Sequence, residues 1–217
     1  MNNILEVLSY TGFGILFINV IVYIIGFTKQ SKAYKAFTAY IITVFIIHFF
    51  MELYAFQGKN NHFLSNYFLW FQFILLSTFF YYAFKDINKK IAIFIKYIGL
   101  IIVALLAVQY SITPMLYYNF NSLGFLITSC LIIIYSVYYL YENISNKLPF
   151  TYIVTGAFLY IMSSCLIFVS ASHIASFNDK TNVYIWNINA VLFIVYQLLI
   201  LWEWKAKYYP GAYRQQQ

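Results

Sequence analysis

The sequence predicts an all-α membrane protein, a bundle of seven transmembrane helices with its N-terminus outside and its C-terminus in the cytoplasm. Three observations carry this expectation. Hydrophobic residues make up 63% of the 217 and charged residues only 9%, well beyond the range of water-soluble domains. The apolar residues fall in seven blocks of about twenty, the length a helix needs to cross a bilayer. Lysines gather on alternate loops, and cytoplasmic loops are the ones that carry excess Lys and Arg.

In order, the spans are expected over residues 5–27, 37–56, 63–84, 91–112, 121–141, 150–172 and 183–204. They form one transmembrane domain over residues 1–204, followed by a short basic cytoplasmic tail over 205–217. The N-terminus carries Glu6 instead of a basic stretch, and Lys29, Lys32 and Lys35 come after span one, so a retained first helix is favoured over a cleaved signal peptide. Lys85, Lys89 and Lys90 follow span three, Lys147 follows span five, and Lys205, Lys207 and Arg214 follow span seven. The opposite side has Lys59 and Lys180, the second beside Asp179. Tyr81, Tyr82, Tyr138, Tyr139, Tyr141, Tyr208 and Tyr209 cluster at the inner boundary and Tyr117 and Tyr118 at the outer one, as an interfacial aromatic belt requires.

Pro114, Pro149 and Pro210 all lie in loops or at a helix start, so unbroken helices are expected. One internal echo is visible. Phe37-Thr38-Ala39-Tyr40-Ile41-Ile42-Thr43 opens span two and Phe150-Thr151-Tyr152-Ile153-Val154-Thr155 opens span six, with Trp70 and Trp186 in the spans that follow. The echo suggests a three-plus-one-plus-three plan of parallel repeats around span four, although low-complexity apolar sequence also produces such short matches.

Composition also narrows the function classes. The net charge of +7 is spread over loop ends and forms no basic run, which argues for topology-setting charge and against nucleic-acid binding. Cys130 and Cys165 fall within apolar spans without metal-ligand spacing and read as reduced, buried small residues. Gly-rich phosphate loops, Gly-x-Ser-x-Gly elbows and His-Glu-x-x-His pairs do not occur. Span seven has no lysine, so no retinal is expected; Lys96 lies inside span four, about a turn and a half from the inner end, from which it can snorkel.

Ionisable groups inside a span are costly and are candidates for function. His48 and Glu52 stand four residues apart on one face of span two, in its outer half. The outer side adds His62, His173 and Asp179, with Asn60, Asn61, Ser65 and Asn66 near the start of span three, Gln72 deeper, Ser170 and Ser172 in span six, and Trp186, Asn187 and Asn189 in span seven. Two structural readings stand beside the functional ones: His48 and Glu52 act as polar glue between helices, and Glu203 pairs with Lys207 at the boundary. A ligand pocket is expected from His48, Glu52, Gln72, Trp186, Asn187 and Asn189, since sites between helices combine apolar walls with few convergent polar groups. A zinc site would draw on His48, Glu52, His62 and His173.

These residues lead to a sensor or receptor-like subunit that takes a small or apolar ligand from the outer side. Its inner loops are too short for a kinase or cyclase, so it would act through a membrane or cytoplasmic protein partner. A second reading is an intramembrane metal-dependent hydrolase or lipid-modifying enzyme built on the outer His and Glu residues. A third is a small-solute carrier with a polar path through Asn19, Gln72, Asn189 and Gln197. In each case the lipid bilayer is the solvent, and a bacterial cytoplasmic (inner) membrane is the expected location.

Overall fold

The computed structural model describes residues 3–169 and 179–209, and every regular element among them is helical. The helices are α1 (Asn3–Ile24), α2 (Lys32–Phe56), α3 (His62–Lys85), α4 (Lys89–Ile112), α5 (Ser122–Asn146), α6 (Thr151–Val169) and α7 (Asp179–Glu203). Six of them are long and apolar enough to cross a membrane, and α6 contributes a shorter apolar stretch, Thr151–Ile167. The chain is thus an all-helical integral membrane protein. Large apolar side chains stand exposed along the helices, including Ile93, Phe94, Tyr97, Leu100, Ile101 and Leu105 of α4, as suits a surface solvated by lipid.

Helix starts are set by caps that hydropathy does not register. Ser31 Oγ accepts from the Tyr34 amide at 3.2 Å, so α2 begins at Lys32 and not at residue 37. Asn88 Oδ1 does the same for the Ile91 amide at 3.3 Å and starts α4. The echo falls at unlike places as a result. Phe37 lies well inside α2, whereas Phe150 precedes α6 and has a left-handed backbone with φ of 65°.

By internal contacts the chain divides into two units, Ile24–Ile132 and Met1–Tyr23 with Ile133–Gln217. In the first, α3 packs against both α2 and α4. Its contact with α2 is aromatic, with the Phe37 and Phe79 rings 5.6 Å apart, and Phe80 of α3 stands beside Phe79 at 5.1 Å. Between helices in lipid the attraction is close packing more than water exclusion, and interlocked rings supply much contact area.

In the second unit, α1 is tied to α7 by side-chain amides and a phenol. Asn19 Nδ2 donates to the Gln197 carbonyl at 2.9 Å and to Gln197 Oε1 at 3.0 Å, and Tyr23 OH donates to the Ile200 carbonyl at 3.0 Å. The helices α6 and α7 approach closely at Gly156, where an added Cβ would lie 2.7 Å from Tyr196 Cδ2 and 3.2 Å from Leu199 Cδ1. Ser164 Oγ donates to Asn189 Oδ1 at 2.8 Å farther along the same seam.

The turn between α5 and α6 is held by an unusual set of bonds. Lys147 and Phe150 both adopt positive φ, 45° and 65°, which costs free energy for residues with a Cβ. Asn143 Oδ1 accepts from the Leu148 amide at 2.6 Å and from Thr151 Oγ1 at 3.1 Å, and Tyr139 OH donates to the Pro149 carbonyl. From α7, the fully buried Glu203 carboxylate accepts the Phe150 amide at 2.9 Å and the Tyr152 amide at 2.8 Å. It thereby caps the α6 N-terminus, where the helix dipole favours negative charge. The expected pair with Lys207 is present at 2.9 Å, and the Lys207 ammonium also donates to the Leu148 carbonyl at 3.3 Å.

Candidate functional site: an aromatic pocket at one end of the first unit

On α3, Phe63, Asn66, Tyr67 and Trp70 follow the spacing that puts residues on one helix face. That face meets Tyr110 of α4 and a short 3-10 turn, Pro114–Tyr117, which Pro114 opens. Together with Tyr118 these side chains line an open pocket of 470 Å³. Its walls are ring faces and edges: Trp70 to Tyr110 is 5.8 Å between centroids, Tyr110 to Tyr117 is 5.1 Å, and Phe63 to Tyr67 is 6.4 Å.

Asn66 is the polar centre of this arrangement and is buried. Its Nδ2 donates to the carbonyls of Leu116 at 2.7 Å, Asn119 at 3.1 Å and Tyr117 at 3.3 Å, while its Oδ1 accepts from Tyr110 OH at 2.8 Å. One side chain of α3 thus ties three carbonyls of the connection that follows α4. A second amide secures the next helix. Asn121 Oδ1 accepts from the Gly124 amide at the start of α5 and its Nδ2 donates to Gln109 Oε1 on α4, both at 2.9 Å.

The chemistry offered is aromatic. Among the described residues no acidic or basic side chain lines the pocket, so a bound group would meet several aromatic rings and the Asn66 amide. Such walls suit a small organic cation or a flat apolar group.

The six residues expected to bind ligand do not line this pocket. His48 is half-buried in α2 with the Phe68 ring edge-on at 6.3 Å, and Glu52, one turn farther along, is exposed. Gln72 is buried within α3. These three belong to the first unit, whereas Trp186, Asn187 and Asn189 belong to the second. There Asn187 borders a shallow apolar hollow of 280 Å³ on α7 with Tyr184, Ile188 and Val191, Asn189 accepts from Ser164, and Trp186 is half-buried. His62 is exposed at the first turn of α3, its amide donating to Asn60 Oδ1 at 2.8 Å. Among the described residues no three His, Cys, Asp or Glu side chains gather as metal ligands, and His173 lies outside the described residues, as do Ser170, Ser172 and Arg214.

Sequence reasoning placed Tyr117 and Tyr118 in an aromatic belt and did not connect them to Asn66. The signal available was the Phe63–Trp70 spacing, with an amide among rings on one face. Comparison with family models, with curated proteins and with solved structures finds no match to this chain.

Proposed function

We propose that this chain is a receptor-like membrane subunit whose aromatic pocket takes a small ligand from the outer side, and that it acts through a protein partner. The observation that carries the reading is the coupling inside the pocket. The ring that a ligand would touch, Tyr117, belongs to the connection whose carbonyls Asn66 holds, so occupancy is felt by the α4–α5 connection. A trimethylammonium group fits the wall chemistry best, because ring faces attract a cation and no basic side chain among the described residues lines the pocket to oppose it.

The test is a pair of probes of one shape, choline and 3,3-dimethyl-1-butanol, titrated against the purified protein in detergent by calorimetry. Choline should bind about tenfold more tightly, the equivalent of a desolvated cation–π contact. Trp70→Ala should abolish that preference. Equal affinity for the two probes, or none for either, would remove the cation reading.

The outer placement of the pocket rests on the lysine alternation, which supports a cytoplasmic connection between α3 and α4. A cysteine introduced at Lys89 should resist an impermeant reagent on intact cells and react after permeabilisation. Labelling from outside would invert the orientation.

Two observations favour helix cohesion over the carrier path. Asn19 and Gln197 are bonded to each other, and Asn189 is bonded to Ser164, so these amides are engaged in helix contacts.

A further inference from the structure

A second cavity, of 360 Å³, lies between α3 and α4 toward their lysine-bearing ends. Its floor at Gly99 is open: a Cβ there would meet one atom within 4 Å, Ser77 Cβ at 3.9 Å, so a larger side chain at this position would project into the cavity. Phe73, Ile74, Leu100 and Val103 wall the deeper part. Along α4 the lining runs from Ile95 to Val103, about 12 Å at ~1.5 Å per residue, most of the ~15 Å hydrocarbon depth of one leaflet.

Polar groups collect toward the mouth. Lys96 lines the groove and is exposed, the Tyr81 and Tyr82 side chains stand beside it, and the Lys32 ammonium sits 5.8 Å from the Tyr82 ring centroid. Ser77, 8% exposed, lines the groove with its hydroxyl unpaired among the described residues. Among the described residues no carboxylate lines the cavity. The Lys96 ammonium, about a turn and a half into a span, has as its described partner the Tyr97 ring at 5.9 Å, which is weak compensation for a charge at that depth.

We propose that the α3–α4 groove is a binding site for one anionic phospholipid, its phosphate held by Lys96 with the Ser77 hydroxyl and its acyl chain lying against Phe73, Leu100 and Val103. Charge complementarity selects an anionic headgroup, and the apolar depth selects a lipid over a free phosphate. The phosphate supplies the counter-charge that Lys96 lacks among the described residues.

Native mass spectrometry of the detergent-purified chain, after incubation with equimolar dioleoyl phosphatidylglycerol and dioleoyl phosphatidylcholine, tests this. The wild type should retain phosphatidylglycerol as a one-to-one adduct in preference to phosphatidylcholine. Lys96→Gln should lower that retention about tenfold, the loss of one charge-assisted contact. Gly99→Leu should remove the adduct by filling the groove, and Lys90→Gln, an exposed residue outside it, should leave retention unchanged. Equal retention of the two lipids, an undiminished adduct in Lys96→Gln, or displacement of the lipid by glycerol 3-phosphate would each overturn the proposal. Because Lys96 is exposed, its substitution does not disturb packing, and the test holds even where Gly99→Leu fails to fold.

Discussion

Glu203→Ala should cost more stability than any other single charge removal among the described residues. The carboxylate is fully buried and accepts two amides at the start of α6. Removing it orphans both donors, at roughly 1–3 kcal/mol each, and leaves the Lys207 ammonium without its partner. A total on the order of 3–5 kcal/mol corresponds to a fall of about 10 °C in the unfolding midpoint, measurable by intrinsic fluorescence in detergent. Glu203→Gln retains one acceptor oxygen and should recover about half of this loss. Lys207→Met leaves the buried Glu203 carboxylate its two amide donors but removes its counter-charge, and should cost about 1–3 kcal/mol, less than Glu203→Ala. A midpoint for Glu203→Ala within a degree or two of the wild type would show that water replaces the carboxylate and that the turn is not sealed.

Asn66→Asp is expected to dissolve the aromatic pocket while changing almost no volume. An aspartate at this position faces the carbonyls of Leu116, Tyr117 and Asn119 with acceptor oxygens, or with a single proton when neutral. Losing those donations in a buried setting should cost about 2–4 kcal/mol. Hydrogen exchange at residues 116–121 should accelerate strongly, and choline binding should disappear with it. Tyr110→Phe deletes only the phenol bonded to Asn66 and keeps the ring, so it should cost about 1 kcal/mol and preserve binding. Unchanged exchange in Asn66→Asp would mean that the connection is held by its own turn geometry.

The contrast between Glu52 and Glu203 shows what was legible in the sequence. Position along a helix can be read from hydropathy and flanking charge, and on that scale Glu52 looked interior and Glu203 marginal. Rotation about the helix axis cannot be read when a span is apolar all round, because no polar face marks the outside. Glu52 is exposed, and Glu203 turns inward to α6. The same limit hid the pocket: Tyr117 and Tyr118 have the composition of a belt, and their place in the pocket depends on where Asn66 points. Helix starts moved for a different reason. Ser31 caps α2 while Lys32 and Lys35 lower the hydropathy of its first turn, so the apolar block begins later than the helix does. The α5 helix likewise continues through Glu142 and Asn143 to Asn146, beyond its apolar block.

The bond between Asn19 and Gln197 joins groups 178 positions apart in the sequence. At ~5–20 residues per second, a ribosome needs roughly 10–40 s to travel that distance. Throughout this interval the first helix has its amide in the bilayer, or in the insertion machinery, with its eventual acceptor not yet made. The start of α6 waits in the same way for Glu203. Biogenesis of the second unit is therefore completed from its C-terminal side, and α7, the last described helix to emerge, is the one that satisfies both debts.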